Sequence, residues 1–331
     1  MILVTGATGL VGGNLLWQLL QENDRVKAIR RTTSNLTPLR SIFSYYTSDL
    51  DTFLAKIDWI IADVLEPESL RKAFRGVDVV YHCAALVSLS GKADLLTDTN
   101  IIGTKNVIDA ALNARIQKLC FVSSIAACGS ETGNKLINEE SVWMDISGRS
   151  LYSRSKYYSE QEVWRGIEKG LNAVIVNPGV ILGVSGTNTG SSQLFSQVRK
   201  GLMFYTNGGS GYVDVQDVVR AMIQLVKSDI SGGRFILVSE NCSSKDILCW
   251  MADGFGKWKP FVALGKNALY IIGYVSEIIG KIFGFKPSID RGIARTATNR
   301  EYYSAFKIQQ AIGFEFKPIE KCVREVCGFI K

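Results

Sequence analysis

The fold of the chain follows from residues 2–12, which read Ile2-Leu3-Val4-Thr5-Gly6-Ala7-Thr8-Gly9-Leu10-Val11-Gly12. An apolar run typical of a strand leads into three glycines spaced three residues apart, and a segment of helical period follows. Gly6 permits a tight turn, Gly9 lets backbone approach a pyrophosphate, and Gly12 lets the helix pack closely on the strand. The stretch predicts a strand, a phosphate-binding turn and a helix that presents free amides to an anion.

Short apolar runs alternate with segments of helical period through the first half of the chain. The predicted strands are Ile2–Thr5, Val26–Arg30, Trp59–Ala62, Val77–Cys83, Leu119–Ser123 and Ala173–Asn177. The predicted helices are Leu10–Glu22, Glu66–Phe74, Ala93–Ala114 and Tyr152–Lys169. Six parallel strands with helices on both faces predict an α/β fold with a doubly wound parallel sheet of the Rossmann type.

The pattern changes after Pro178, where residues 183–192 are rich in Gly, Ser, Thr and Asn and predict a loop. A strand at Val213–Asp217, a helix at Val218–Val226 and a strand at Arg234–Val238 then predict a return to the first domain. We therefore expect a dinucleotide-binding domain of residues 1–177 and 212–238. We expect residues 178–211 and 239–331 to form a smaller, mostly helical C-terminal domain that binds substrate.

One apolar segment at residues 268–283 has two interpretations. Its isoleucines and valine recur at helical spacing, interrupted by Glu277 and Lys281, and it is shorter than the ~20 residues that span a membrane. It is either a core-packing helix of the smaller domain or an apolar lid that touches a lipophilic substrate or a membrane surface. We expect no transmembrane segment, and peripheral membrane contact stays open.

Charge and cysteine content narrow the classes of function. The 38 Lys and Arg residues outnumber the 31 Asp and Glu residues, giving +7, but they are scattered, which argues against nucleic-acid binding. The seven cysteines include several in apolar runs and indicate reduced thiols, and Met1 leads directly into the glycine turn without a signal-peptide pattern. These features predict a cytoplasmic location. A single histidine, His82, and no CxxC pair predict no metal centre.

The residues after the second strand indicate which cofactor is bound. A carboxylate about 20 residues after such a glycine turn typically marks NAD, whereas an arginine accommodates the 2′-phosphate of NADP. This chain has Arg30-Arg31 there and no acid. The pair favours NADP and leaves NAD as an alternative, because an arginine on a solvated loop can also stack on adenine without contacting phosphate.

Two further strand ends carry residues suited to a cofactor. Asp63-Val64 closes the third strand, where the carboxylate of Asp63 is able to accept a hydrogen bond from the adenine amino group or to cap the helix near Glu66. Ala84-Ala85 follows the fourth strand, and small residues suit backbone that runs beside the cofactor.

Tyr152 and Lys156 lie four residues apart on a predicted helix and therefore share a face. A tyrosine with a pKa near 10 is a poor acid–base group at neutral pH until a neighbouring ammonium stabilises its phenolate. Lys156 supplies that charge and is able to bind the nicotinamide ribose. Ser124, at the end of the fifth strand, is placed to hydrogen-bond the reacting oxygen.

Together these motifs resemble the extended short-chain dehydrogenase/reductase family, also described as the NAD-dependent epimerase/dehydratase family. The resemblance covers nearly the whole chain and rests on the glycine turn, Asp63-Val64, Ala84-Ala85, Asn100 to Val107, Ser123-Ser124, Tyr152 to Lys156 and Asn177-Pro178-Gly179. It implies that the cofactor is bound by Gly6, Thr8, Gly9, Leu10, Val11, Gly12, Arg30, Arg31, Asp63, Val64, Ala84, Ala85, Tyr152, Lys156, Pro178 and Val180. It also implies that the catalytic residues are Ser124, Tyr152, Lys156 and Asn100, the last in water or backbone positioning.

Within the family the chain is most similar to the dihydroflavonol reductase-like branch, through Arg30, residues 177–183 and Tyr302-Tyr303-Ser304. The resemblance implies an oxidoreductase that reduces a ketone or aldehyde with NADPH, Tyr152 giving the proton. It also implies a homodimer built on the helices at Ala93–Ala114 and Tyr152–Lys169.

Other functions stay open on this fold. A nucleotide-sugar epimerase with bound NAD more often carries an acid where Arg30 stands, and a sugar dehydratase carries an Asp-Glu pair where Ile125-Ala126 stands. A catalytically silent, cofactor-sensing protein is a further alternative, because fold does not fix function. Such relatives commonly lose the tyrosine or the lysine.

Overall fold

A seven-stranded parallel sheet forms the centre of the computed structural model, which describes residues 1–87, 93–130, 136–143, 149–187, 190–269 and 298–330. The strands of these residues are β1 (Ile2–Thr5), β2 (Val26–Arg30), β3 (Ile57–Ile61), β4 (Val79–His82), β5 (Lys118–Val122), β6 (Ala173–Pro178), β7 (Val180–Leu182), β8 (Phe204–Thr206), β9 (Gly209–Asp214), β10 (Gly233–Leu237), β11 (Glu240–Ser243) and β12 (Val262–Leu264). The central sheet has the order β10-β6-β5-β4-β1-β2-β3. This order confirms the doubly wound Rossmann fold, and its seventh strand, β10, is the strand predicted at Arg234–Val238.

The α-helices of the described residues are α1 (Leu10–Glu22), α2 (Thr37–Ser44), α3 (Leu50–Ala55), α4 (Pro67–Ala73), α5 (Ala93–Thr97), α6 (Gly103–Ala114), α7 (Leu151–Glu168), α8 (Ser191–Arg199), α9 (Val215–Lys227), α10 (Ser244–Phe255), α11 (Phe306–Ile312) and α12 (Ile319–Ile330). A π-helical turn at Asp98–Ile102 separates α5 from α6, so the single helix predicted at Ala93–Ala114 is wrong at this point. The predicted ends of the other first-half elements agree within about two residues, as is usual at fraying ends.

The central sheet is buried on both faces, which explains why its strands read as continuous apolar runs. Alternate side chains of one strand point to opposite faces: Val4 packs with α1 and α9, and Leu3 packs with α4, α6 and α7. Burial of each Leu, Ile or Val side chain stabilises the fold by roughly 1.5–3 kcal/mol.

The order of the sheet reverses between β1 and β4, so helices leave these strands toward opposite faces. The carboxyl ends of β1 and β4 consequently open a crevice, into which the glycine turn faces. Parallel folds of this kind bind ligands at that point.

The segments assigned to a smaller domain contain α8, α10, α11 and α12. They also contribute strands to two small sheets that were not predicted, and β9 of one sheet extends into residues 212–214, assigned to the first domain. One sheet has the order β11-β9-β7, and the other pairs β12 with β8 in parallel. The strand predicted at Val213–Asp217 is corrected: β9 ends at Asp214, whose side chain accepts from the Gln216 amide at 2.8 Å and starts α9 at Val215. The division into two domains stays a prediction.

The apolar segment predicted at residues 268–283 lies, from residue 270 onward, outside the described residues. Within the part of the chain that the structure describes, no helix is long and apolar enough to cross a bilayer.

Candidate active site

The glycine turn between β1 and α1 leaves no room for side chains. Gly6 has a φ of +67°, and a Cβ atom there would lie 2.6 Å from the backbone nitrogen of Ala84. A Cβ atom on Gly12 would collide with the carbonyl oxygen of Gly6. Gly9 is the N-cap of α1 and offers no capping side chain, so the first amides of the helix stay available to an anion. This cradle fits a pyrophosphate.

Three polar side chains hold the end of β4 beside this turn. Thr5 Oγ1 lies 2.7 Å from His82 Nδ1 and accepts a hydrogen bond from the Ala84 amide at 3.2 Å. His82 Nε2 lies 3.1 Å from Thr104 Oγ1. Burial lowers the pKa of His82 to about 3, assisted by the charge of Lys156, so the ring is neutral. Sequence reasoning assigned no role to His82, which here joins β1, β4 and α6 behind the half-buried Ala84 and Ala85.

The hydroxyl groups of Ser124 and Tyr152 meet at the carboxyl edge of the sheet. Ser124 follows β5, and its Oγ accepts a hydrogen bond from the Ala126 amide at 3.1 Å. Tyr152 lies in the first turn of α7, which begins where the Ser150 hydroxyl accepts from the Ser153 amide at 3.1 Å. Burial raises the pKa of Tyr152, while a hydrogen bond with Ser124 acts to lower it. The net result is a tyrosine that keeps its proton at neutral pH.

Lys156 is a buried ammonium one turn further along α7, with 3% of its surface exposed. Its Nζ donates to the carbonyl oxygen of Val122 at 2.9 Å and lies 5.2 Å from the ring centre of Phe121. Burial lowers the pKa of Lys156 to about 8, and Glu160 acts to raise it. Burial dominates the pKa of Tyr152, and the hydrogen bond with Ser124 is the contact that acts to lower it; the effect of Lys156 on Tyr152 stays a prediction.

A buried network supports the candidate catalytic residues from behind. Asn177 Nδ2 donates to the carbonyl oxygen of Ser124 at 2.9 Å and to Glu160 Oε1 at 2.6 Å. Glu160 also pairs with Arg234 at 3.3 Å, and burial raises the pKa of its carboxyl group. Sequence reasoning missed Glu160 and Arg234 and gave Asn177 only as part of a motif, without this contact. The available signal was the spacing of Glu160, four residues after Lys156 on the same helix face.

Asn100 lies in the π-helical turn and is 1% exposed. Its Oδ1 accepts from the Leu86 amide at 2.8 Å, and its Nδ2 donates to Leu86 O at 3.1 Å and to Ser155 Oγ at 2.9 Å. These contacts favour the backbone-positioning role, because they tie the segment after β4 to the helix that carries Tyr152 and Lys156.

Arg30 ends β2 with its guanidinium 5.8 Å from the ring centre of Trp59. Its Nε is buried and has no hydrogen-bond partner among the described residues, which fits a phosphate oxygen as the missing acceptor. Arg31 is exposed, and its backbone amide donates to Ser34 Oγ at 2.9 Å. The surroundings of the two arginines therefore differ, and those of Arg30 suit an anion.

Asp63 and Val64 follow β3, as predicted, but Asp63 does not cap α4. Its Oδ1 accepts from the Leu65 amide at 3.0 Å, and Glu66 is the N-cap residue of that helix. The carbonyl oxygen of Val64 accepts from Asn106 Nδ2 at 3.0 Å. The capping alternative is wrong because the chain makes an additional turn before the helix starts.

Pro178 ends β6, and the half-buried Val180 opens β7. Gly179 between them packs so closely on Gly211 that a Cβ atom would meet the carbonyl oxygen of that residue. This contact sets the direction in which the chain leaves the carboxyl edge of the sheet.

The chain is similar in sequence and in fold to known proteins. A sequence model described as the NAD dependent epimerase/dehydratase family matches residues 2–237. The chain is 29% identical, over 97% of its length and 92% of the relative, to a Synechocystis sp. protein provisionally named dihydroflavonol 4-reductase. It is 25% identical to cinnamoyl-CoA reductase 1 of Petunia hybrida, over 98% of this chain and 90% of that one. The UDP-glucose 4-epimerase of Thermotoga maritima shares the fold, with a TM-score of 0.78 at 17% identity over 99% and 98% of the chains.

Proposed function

Because the chain belongs to the NAD-dependent epimerase/dehydratase family, of the extended short-chain dehydrogenase/reductase superfamily, it is an NAD(P)-dependent enzyme, and we propose that it reduces a ketone or aldehyde with NADPH. The observation that carries the proposal is the hydrogen bond between Ser124 and a protonated Tyr152, one helical turn from buried Lys156. Both reductase relatives named above support this direction of reaction.

The chain's own groups supply the acid and the polarising contacts. A bound nicotinamide dinucleotide supplies the hydride. Ser124 donates a hydrogen bond to the carbonyl oxygen of the substrate, which favours the negative charge that develops there. Tyr152 holds its proton at Oη, since its pKa lies above the ordinary value, and gives it to the developing alkoxide. The ammonium of Lys156 adds positive charge beside this site and binds hydroxyl groups of the cofactor.

We propose NADP as the cofactor, with NAD as the alternative. The glycine cradle suits the pyrophosphate of either dinucleotide. Arg30 Nε is buried and has no hydrogen-bond partner among the described residues. An oxygen of the 2′-phosphate would supply that partner, which favours NADP.

We propose that the substrate is a fairly apolar carbonyl compound. The support comes from the names of the reductase relatives. Phe195 is 1% exposed and belongs to the core, so it gives this proposal no support.

We propose a homodimer, because exposed apolar side chains occur on the predicted dimer helices, at Leu95, Ile102, Leu151 and Tyr158.

We also propose a cytoplasmic location. It suits thiols such as Cys120 and Cys128, in which burial raises the pKa and keeps the sulfur protonated.

Tyr152→Phe tests the reaction, because it removes the hydroxyl and keeps the ring. We expect turnover of an apolar ketone or aldehyde to fall by roughly 10²- to 10⁴-fold, while NADPH affinity and unfolding temperature stay near wild type. The assay follows loss of NADPH absorbance and identifies the product, across ketones, aldehydes and nucleotide sugars. Tyr157→Phe, on the same helix, is the matched control and retains activity.

Two results would overturn the proposal. Full activity in Tyr152→Phe would remove the tyrosine from the mechanism. Epimerisation of a nucleotide sugar without net NADPH oxidation would identify the epimerase alternative instead.

A further inference from the structure

Four large apolar side chains are exposed at the starts of β8 and β12 or in the residues just before them. Trp258 is 91% exposed, Phe261 69%, Met203 50% and Phe204 41%. The amides of Phe261 and Val262 both donate to the carbonyl oxygen of Met203, at 3.0 and 3.1 Å, so the two segments that carry these side chains are adjacent. Exposed apolar side chains gathered in one patch typically mark an interaction surface.

Basic residues flank the apolar side chains on both segments. Arg199 and Lys200 precede Met203, and Lys257 and Lys259 stand on either side of Trp258; all four are exposed. No Asp or Glu occurs in residues 199–213 or 254–269 of the sequence. We call these eight residues, Arg199, Lys200, Met203, Phe204, Lys257, Trp258, Lys259 and Phe261, the lysine–aromatic face.

Within the part of the chain that the structure describes, little of the positive charge of this face is neutralised. Lys259 pairs with Asp253 at 3.0 Å, and Arg199 NH1 donates to the carbonyl oxygen of Ile330 at 2.6 Å. Asp253 is the single acidic side chain that pairs with this face among the described residues, which leaves those residues a net charge of about +3.

The chemistry of the lysine–aromatic face matches the boundary between lipid headgroups and acyl chains. Indole is amphipathic and is enriched at that depth, while lysine extends its ammonium toward phosphate and keeps its methylenes on apolar surface. Anionic lipids attract such basic clusters, and each lysine near the surface strengthens binding roughly fivefold. A second protein chain would bury Trp258 equally well but would need its own acidic patch to match the lysines.

We propose that the lysine–aromatic face docks the protein peripherally on a bilayer that contains anionic lipid. Trp258 and Phe261 enter the headgroup boundary, and the lysines contact lipid phosphate and carboxylate groups. Docking concerns a surface formed by α8, β8 and the segment before β12, so it holds or fails independently of the reductase activity proposed above.

Vesicle co-sedimentation tests the docking directly. We expect the full chain to sediment with vesicles of phosphatidylcholine containing roughly 30 mol % phosphatidylserine and to stay in the supernatant with phosphatidylcholine alone. Binding should weaken as salt is raised, because exposed charges are screened. No binding to anionic vesicles at low salt, or equal binding to both vesicles, would overturn the proposal.

Variants separate the apolar and the charged contributions. Trp258→Ala with Phe261→Ala should weaken binding roughly tenfold or more, and Lys257→Ala with Lys259→Ala roughly fivefold for each lysine. Phe306→Ala with Lys321→Ala is the matched control, since both residues are exposed elsewhere, and it should bind as wild type. Circular dichroism verifies that each variant is folded.

Two further outcomes would overturn the lipid proposal. Wild-type binding by the Trp258→Ala, Phe261→Ala variant would show that lipid does not contact the face. Dissociation of an oligomer by the same variant in light scattering, without vesicle binding by wild type, would identify a second copy of the chain as the partner.

Discussion

Lys156 carries a charge where the surrounding protein disfavours one. Its ammonium is almost wholly buried, and its pKa of about 8 lies below the ordinary lysine value of 10.5. A lowered lysine pKa means that the unfolded chain binds this proton more tightly than the folded protein does. The charge therefore destabilises the fold at neutral pH, which is typical of residues kept for function.

Replacement of Lys156 by Met should raise the free energy of unfolding while abolishing activity. The pKa shift corresponds to roughly 3 kcal/mol of burial cost at neutral pH, and loss of the hydrogen bond to Val122 offsets about 1 to 2 kcal/mol. We expect a net gain on the order of 1 to 2 kcal/mol in urea unfolding at pH 7. The gain should shrink as pH rises from about 8 toward 10.5, because the folded wild type then loses the proton. A variant less stable than wild type at pH 7 would contradict this account.

Arg30 should set the preference for NADPH. Charge-assisted hydrogen bonds to a 2′-phosphate contribute on the order of 1.5–3 kcal/mol, so Arg30→Ala should weaken NADPH binding roughly 10- to 100-fold. NADH affinity should change little, since NADH lacks that phosphate. Fluorescence titration of both nucleotides measures the effect, with Arg71→Ala, an exposed arginine paired with Glu68 at 2.8 Å, as control. Tighter binding of NADH than NADPH by wild type would refute the assignment.

Sequence reasoning reached some of these residues because their relationship is local. Tyr152 and Lys156 share one helix, and helical geometry alone predicts that both face the same ligand. Glu160 stands on that helix too, but its partners Asn177 and Arg234 come from β6 and β10. Their meeting depends on how α7 packs against the sheet, which no local pattern specifies.

The π-helical turn that carries Asn100 is a secondary-structure feature that the sequence pattern does not predict. Apolar periodicity predicts one helix from Ala93 to Ala114, whereas a π-helical turn at Asp98–Ile102 interrupts it. A turn wider by one residue changes the sequence period too little to be recognised. Such turns often occur at functional sites, and here the turn carries the side chain that bonds Leu86 and Ser155.

The helices α2 and α3 were not predicted, because each is short. They have eight and six residues, and in such short helices an apolar period is not reliably recognised. Proline at the start of α2 and the Asp49 side chain that accepts from the Thr52 amide at the start of α3 are the local signals that sequence reasoning passed over.

Gly12 lies at the junction of β1 and α1, where the two elements pack closely. A Cβ atom at this position meets backbone, which has no free rotation to relieve the contact. Gly12→Ala should lower the free energy of unfolding by about 1–3 kcal/mol and weaken NADPH binding roughly tenfold or more. Gly328→Ala in α12 is the matched control: its Cβ atom would meet nothing within 4 Å, and alanine should stabilise that helix by up to about 1 kcal/mol. Equal behaviour of the two variants would contradict the close packing.

The last part of the chain is held against the cofactor-binding fold by charge. Lys317 Nζ lies 2.6 Å from the buried Asp214 and 2.9 Å from Glu325 of α12, and these carboxylates raise the pKa of Lys317. Asp217 accepts a hydrogen bond from the Lys317 amide at 2.7 Å. Partners about a hundred residues apart leave no sequence signal, so these residues read as ordinary surface charges. Together they join α12 to the start of α9.

The outer faces of α7 and of the π-helical turn carry apolar side chains that are exposed to solvent in the single chain. Ile102 is 45% exposed and Tyr158 42%, on neighbouring elements that already pack against each other through Asn100 and Ser159. A two-fold axis between two copies would place the same face on both sides of the interface and cover each residue. This surface is separate from the lysine–aromatic face.

The dimer proposed on these helices should appear in light scattering at micromolar protein as twice the chain mass of 36.5 kDa. Ile102→Glu with Tyr158→Glu should convert it to monomer, because four carboxylates in a two-fold interface would be buried against apolar surface. Phe261→Glu, which changes the lysine–aromatic face, is the matched control and should leave the dimer intact. A monomeric wild type would contradict the dimer. Dissociation by Phe261→Glu, with the helix variant still dimeric, would move the interface to the other surface and remove the lipid proposal with it.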